Sequence, residues 1–332
     1  MAFSTLPVRS SLFKLIPAAA AVFLGLSSQA ALAQQSSQPI KIIVPSTPGG
    51  GSDVLARLLA DSIGKTDGVT MVIENRPGAS NTIGTDYAAR SAPDGQTVLM
   101  TTPEFVIAPH LRSVNYDPVK SFEPICYLTR SPQAIVVHAE SPYKTLADLF
   151  DAAKKAPGTL TLASSGPGSR PHIAIEKLKR AANVNITYVP YAGSGPAIGQ
   201  LMGKHLTGVM ASYPNVVEPI RTNKLHALAV AAKSRIEQLP QAPTVIESGF
   251  PDFEADLWYG VVAPAKTPKE SIDKLTAWFT KALQVPEVKA KLAAQGMFPV
   301  ADCGVKFAAF IEKESKDFGE AIKASNIKAA AQ

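Results

Sequence analysis

The sequence predicts an α/β fold of doubly wound sheets, and three observations lead there. From Ile40 onward, short β-branched strands alternate with amphipathic helical segments. Glycine- and serine-rich loops join a strand to the following helix at 45–53, 164–169 and 191–195. The chain, 332 residues long, can also bury two cores of ordinary size.

The opening unit sets the pattern. Ile40 to Val44 reads as a buried strand, Ser46-Thr47-Pro48-Gly49-Gly50-Gly51 as a turn, and Ser52 and Asp53 as N-cap residues. Val54, Leu55, Leu58, Leu59 and Ile63 then recur on one helical face. At such a junction unpaired N–H groups and the positive end of the helix dipole converge, so an anion can sit there. No Gly-Lys-Ser/Thr ending follows and the glycines are contiguous, which disfavours a nucleotide loop; a small carboxylate fits better. Taken alone, the stretch is equally well read as an ordinary glycine turn before a capped helix.

Further along, Thr70 to Glu74 is a second strand, Thr82 to Arg90 a helix and Thr97 to Thr102 a third strand. Ala134 to His138 is a strand and Leu146 to Lys155 a helix. The opening pattern then recurs. Leu160 to Ala163 is a strand, Ser164-Ser165-Gly166-Pro167-Gly168-Ser169 a small-residue loop, and Pro171 opens a helix to Ala182, giving a second anion cradle. A third follows at Tyr191 to Gly195, between a strand at Ile186 to Pro190 and a helix from Pro196 to Met202. Leu225 to Ala231 and Trp258 to Ala263 are strands. Past Pro264 the chain reads as helical, with core-facing stripes at Ile272, Leu275, Phe279 and Leu283 and again at Phe307, Phe310, Ile311, Phe318 and Ile322.

The N-terminus has the marks of a cleaved signal peptide ending at Ala33. Arg9 and Lys14 precede an apolar run from Leu15 to Leu26, and Ala31-Leu32-Ala33 is a small-x-small cleavage site. The expected mature chain is exported and soluble, since no later stretch reaches the roughly 18 apolar residues of a span. Without a cysteine after the cleavage site, no lipid anchor is indicated. Of 33 basic residues the leader takes two and of 27 acidic residues none, leaving 31 minus 27, or +4. That mild excess favours small anions; the scattered Lys and Arg, without aromatic interleaving, exclude a nucleic-acid reading.

Cys126 and Cys303 are the two cysteines. In an exported chain a disulfide is favoured over two buried thiols, although spacing does not show whether their Cα atoms are within reach. The five histidines are scattered without paired ligand spacing, so neither metal nor cofactor is expected. His172, in a first helical turn, is expected to pack or cap. Tyr191, Tyr213 and Phe105 follow loops and are read as wall or core. Serines abound in the loops, but no Gly-x-Ser-x-Gly elbow accompanies them, which sets an exported hydrolase behind a binding protein.

Several segments together resemble one family. Ile40-Lys41-Ile42-Ile43-Val44-Pro45 with Pro48-Gly49-Gly50-Gly51-Ser52-Asp53, Glu74-Asn75-Arg76-Pro77-Gly78-Ala79 with Pro93-Asp94-Gly95, and Ala163-Ser164-Ser165-Gly166 are similar to the extracytoplasmic solute-binding proteins of tripartite tricarboxylate transporters. Val189-Pro190-Tyr191 and Trp258-Tyr259-Gly260 with Ala263-Pro264 fit the same pattern. The resemblance implies a periplasmic, monomeric, non-enzymatic binding protein with a type II periplasmic binding fold. Two doubly wound domains, 38–139 plus 264–332 and 140–263, would close on a carboxylate, with hinges near Val137 to Ser141 and Gly260 to Pro264. Membrane permease subunits would receive the ligand; a signalling partner is the alternative.

Carried over from the family, Ser46, Thr47, Pro48, Gly49 and Gly50 would form one jaw and Ser164, Ser165 and Ser169 the other, with Thr102, Tyr191, Ala211 and Ser212 beside them. Ser46 stands where the family commonly has Phe, Arg170 where a small hydroxyl residue is usual, and Ala211-Ser212 where an Asp-Asn pair is frequent. These departures lead to an expected dicarboxylate, its second carboxylate meeting Arg170 and an aromatic or bulky body filling the space left by Ser46 and Ala211. A solvated Arg170 in the first helical turn is the alternative.

Overall fold

The computed structural model describes residues 1–2, 38–191 and 193–327, so the expected signal peptide lies outside the described residues apart from its first two positions. From Ile40 onward the chain forms one compact unit with two sheets. The first contains β1 (Ile40–Val44), β2 (Met71–Asn75), β3 (Thr97–Thr101), β4 (Phe122–Ser131), β10 (Leu257–Pro264) and β11 (Phe298–Cys303), in the order β11-β4-β10-β3-β1-β2. The second contains β5 (Gln133–His138), β6 (Thr161–Ser164), β7 (Thr187–Pro190), β8 (Gly208–Ser212) and β9 (Leu225–Val230), in the order β7-β6-β8-β5-β9. With the first sheet go α1 (Gly51–Asp67), α2 (Thr82–Ala89), α3 (Glu104–Leu111), α8 (Lys269–Gln284), α9 (Pro286–Ala294) and α10 (Val305–Ala324). With the second go α4 (Leu146–Lys155), α5 (Arg170–Ala181), α6 (Ser194–Met202) and α7 (Tyr213–Arg221).

The α/β expectation holds, with mixed sheets. β1 pairs in parallel with β2 and β3, and β6 with β7 and β8, while β4, β5, β10 and β11 run antiparallel to their neighbours. Both faces of each sheet are covered, which is why β1 is apolar at every position except the exposed Lys41. Successive side chains point to opposite faces: Ile40, Ile42 and Val44 enter the core under α1 and α8, and Ile43 enters the core shared by α3 and α10.

Strand pairing also places the crossings between sheets differently from the expectation. β5, expected in the first domain, pairs with β8 and β9; β10, expected mostly in the second, pairs with β3 and β4. The chain therefore crosses at Pro132 and again at Asp256, where Ala255 N–H still donates to Ala231 O (2.9 Å) and Leu257 is already in register with Ser131. An ion pair, Arg130 Nη1 to Asp256 Oδ2 at 2.8 Å, joins the two crossings.

Among the elements that escaped sequence reading, three did so because proline or uniform hydrophobicity obscured their period. β11 contains Pro299 and interrupts a stretch expected to be wholly helical. β4 contains Pro124, and α3 is apolar over most of its circumference with Pro109 inside it. Pro109 lacks the N–H that would bond back to Phe105 O, and Tyr116 OH donates to that carbonyl instead (3.3 Å). Cys126 and Cys303 are paired residues of β4 and β11 and form a disulfide.

Candidate functional site

A cavity of about 390 Å³ lies between the carboxyl ends of β1 and β3 and the loop after β6. Its walls come from both sheets: Ser46, Gly50, Gly51 and Ser52 from one side, Ser165 through Ser169 from the other, and α3 along a third wall.

The first wall is the head of α1. Val54 N–H is bonded back to Gly50 O at 2.9 Å, which leaves the N–H groups of Gly51 and Ser52 among the unpaired donors of the first turn, at residues that line the cavity. Glycine at 51 is required by the close approach of Tyr259, whose hydroxyl would lie 2.4 Å from an added Cβ. Asp53, nearly fully buried, ties the turn down. Its carboxylate accepts from Arg57 Nε (2.9 Å), Gly49 N–H (2.9 Å) and Asn75 Nδ2 (2.9 Å), and Asn75 also donates to Ser46 O (3.1 Å). The Arg57 hydrogen bond, helped by Gly49 and Asn75, outweighs burial and holds the Asp53 carboxyl down at about 2. The turn is thus pinned by a permanent anion, while its inner donors remain open to a second one.

The second wall is the head of α5. Ser169 caps it, accepting at Oγ from His172 N–H (3.4 Å) and donating to Gly166 O (2.7 Å). Gly168 N–H donates to His172 Nδ1 at 2.9 Å, so this nitrogen is the unprotonated one, and the ring stacks on Tyr188 with centroids 3.8 Å apart. Burial pushes the His172 pKa down, in keeping with that acceptor role. Ser164 is fully buried behind the loop, hydrogen-bonded to Tyr188 OH (2.9 Å) and Ser169 Oγ (3.4 Å), with no histidine nitrogen among its partners in the described residues.

The third wall carries the charge. Glu104, Ile107, Ala108, Leu111 and Arg112 recur at helical spacing along α3 and its C-cap, and all line the cavity. Glu104 accepts from Thr102 Oγ1 at 2.7 Å, and Thr102 in turn accepts from Asn81 Nδ2 at 3.2 Å. Ala79, Ser80 and Asn81 adopt φ of 47°, 54° and 71°, a left-handed run that delivers Ser80 and Asn81 to the cavity edge. Two buried polar atoms here, Ser46 Oγ and Arg112 Nε, have no hydrogen-bond partner among the described residues.

Of the residues expected from sequence, Ser46, Gly50, Thr102, Ser165 and Ser169 line this cavity. Thr47, Pro48 and Gly49 form the exposed outer part of the turn, and the Gly49 amide is already used by Asp53. Tyr191 is half-buried against the apolar core beneath α6 and α7, which also contains Ala211 and Tyr213; Ser212 Oγ accepts from Gln133 Nε2 at 2.8 Å. Ala211 therefore frees no space for a bulky ligand body. Phe105 is core. The Arg170 expectation is corrected outright. Its side chain is 7% exposed, away from the cavity, and Nη1 donates to Glu314 Oε2 of α10 at 2.5 Å, where Trp258 Nε1 also donates at 2.9 Å. Arg112 and Glu104 were missed because α3 itself was missed. Charged residues eight apart, at the two ends of the segment 105–111 that is apolar but for His110, were the available signal.

Residues 55–327 match the family described as the tripartite tricarboxylate transporter family receptor. A protein of Agrobacterium vitis, the UPF0065 protein in the TAR-I ttuE-ttuC' intergenic region, is 35% identical over 86% of this chain and 85% of its own length. Among solved structures, the periplasmic binding protein BugD is 32% identical with a TM-score of 0.73, over 88% of this chain and 99% of that one. Rpa4515 of R. palustris with adipate is 30% identical with a TM-score of 0.76, over 89% and 99%. MatC of Rhodopseudomonas palustris with bound malate is 28% identical with a TM-score of 0.71, over 86% and 99%. The chain therefore belongs to the receptor family of tripartite tricarboxylate transporters, whose members are solute-binding proteins and not enzymes.

Proposed function

We propose that this protein is exported to the periplasm behind a cleaved signal peptide, captures a small carboxylate in the cavity between its two sheets and delivers it to membrane permease subunits. The observation that carries the reading is the facing of two helix heads, those of α1 and α5, across one cavity. The head of α1 presents the N–H groups of Gly51 and Ser52, and the loop before α5 presents the Ser165 hydroxyl, so a carboxylate between them is held from both sides without a buried lysine. The relatives that hold adipate and malate support the same class of ligand.

Closure follows from geometry. A ligand that touches both walls has higher affinity for the form in which they approach, and so shifts the population toward it. The chain bends at the crossings, Pro132 and Asp256, and the closed face is what permease subunits recognise. A thermal-shift screen of the mature protein against aliphatic mono-, di- and tricarboxylates, aromatic dicarboxylates and acidic amino acids tests the reading. A melting temperature that rises with the logarithm of carboxylate concentration is expected; the absence of any carboxylate response removes it.

A further inference from the structure

Among the described residues, Arg112 is a cation without an anion. Its Nε is buried and unpartnered, it takes part in none of the ion pairs among the described residues, and it lines the same cavity as the two helix heads. Ser46 Oγ, equally unpartnered, lines that cavity too. An arginine that lines a cavity with no carboxylate paired to it among the described residues leaves its guanidinium available to an anionic ligand.

Glu104 lies at the other end of α3, eight positions away, or about 12 Å along the axis at about 1.5 Å per residue. It is a cavity-lining carboxylate supported by one hydroxyl, from Thr102. The cavity thus offers donors at the helix heads, a free fork at Arg112 and a fixed negative charge at Glu104. Its hydrocarbon wall is Ile107, Ala108, Leu111 and Leu257.

We infer that Arg112 is the specificity-determining residue that receives the second carboxylate of a short aliphatic dicarboxylate, and that Glu104 repels a third carboxylate. The inference rests on the carboxylate-capture reading above. One carboxylate occupies the helix heads, the chain lies on the apolar face of α3, and the other carboxylate pairs in bidentate fashion with Arg112. A tricarboxylate must bring an additional negative charge toward Glu104 in a confined, weakly screened space, which disfavours it.

Isothermal titration with succinate, adipate, butyrate, hexanoate and citrate on the wild-type protein, Arg112→Gln and Glu104→Gln tests this. Wild type should bind a dicarboxylate at least about thirtyfold more tightly than the matching monocarboxylate, and Arg112→Gln should erase that ratio while leaving monocarboxylate affinity within about threefold. Glu104→Gln should raise citrate affinity about tenfold relative to the dicarboxylates. Arg112→Lys, which keeps the charge and loses the fork, should fall between wild type and Arg112→Gln, and serves should Arg112→Gln fold poorly. If wild type binds mono- and dicarboxylates alike, or if Arg112→Gln weakens both equally, the role of Arg112 is overturned while carboxylate capture stands. If wild type binds none of the five, the capture reading itself has failed.

Discussion

Removing the carboxylate of Glu314 should destabilise the protein far more than its single ion pair suggests. Glu314 is 12% exposed and Arg170 7%, so the pair is shielded from the solvent and salt that make surface pairs nearly worthless. In Glu314→Leu a buried guanidinium keeps its charge without a partner, and Trp258 Nε1, on a fully buried ring, loses its acceptor. Stranding one member of such a pair costs about 3 to 5 kcal/mol. Arg170→Met should fall at the low end of that range, because the remaining carboxylate still accepts from Trp258. In the double variant only the indole is orphaned, at about 1 to 3 kcal/mol, so the two substitutions should be strongly non-additive, with a coupling of at least about 3 kcal/mol. Equilibrium urea unfolding of the four proteins, followed by Trp fluorescence and circular dichroism, measures these terms. Because Arg170 is turned away from the cavity, Arg170→Met should leave carboxylate affinity unchanged. A loss below about 1 kcal/mol in Glu314→Leu, the range of exposed pairs, would refute the claim that this pair is desolvated.

Two further outcomes follow from the cavity walls. His172 is neutral where it accepts from Gly168, and its pKa is pushed below the ordinary value of about 6.5 by burial. A histidine depressed in the folded state contributes stability that is complete above the unfolded pKa and lost as pH falls through it toward the folded one. The melting temperature should therefore drop on acidification below about pH 6.5, and His172→Phe, which keeps the stack on Tyr188, should flatten that slope; equal slopes would assign the titration to other groups. Gly51→Ala would push a methyl into Tyr259 OH at 2.4 Å and Met297 Cε at 3.2 Å, with an overpacking cost of about 1 to 3 kcal/mol. Calorimetry should show carboxylate affinity falling with it, and Tyr259→Phe in the same background should restore part of both.

What could be read from the sequence was whatever is set by neighbours a few residues apart. The Ile40–Val44 strand, the glycine turn and the helix behind it are local patterns, as is α4, whose Thr145–Asp148 capping box fixes its start. The two cradles were legible for the same reason, and their inner members Ser46, Gly50, Ser165 and Ser169 do line one cavity. Arg170 was misplaced because its partner is 144 residues away, beyond any periodicity. Its place in a first helical turn, beside an anion cradle, is equally compatible with facing the ligand or facing α10. Arg112 was overlooked for the opposite reason: a proline inside an almost wholly apolar helix hides the period that marks a face, and only Tyr116, reaching back to Phe105 O, shows how the backbone there remains satisfied.

The disulfide closes a covalent circle around one half of the molecule. Cys126 and Cys303 are 177 positions apart in sequence yet paired on neighbouring strands, and the loop between them contains every strand of the second sheet. A protease that nicks an exposed turn of the second sheet, such as the one after β9, cuts the circle without releasing a fragment, because both new ends remain tied through β4 and β11. The severed protein keeps its mass until it is reduced, and the free ends are held close enough to re-form the same walls. On the proposal that the protein is exported, beyond the reach of intracellular repair, the staple makes a backbone break survivable.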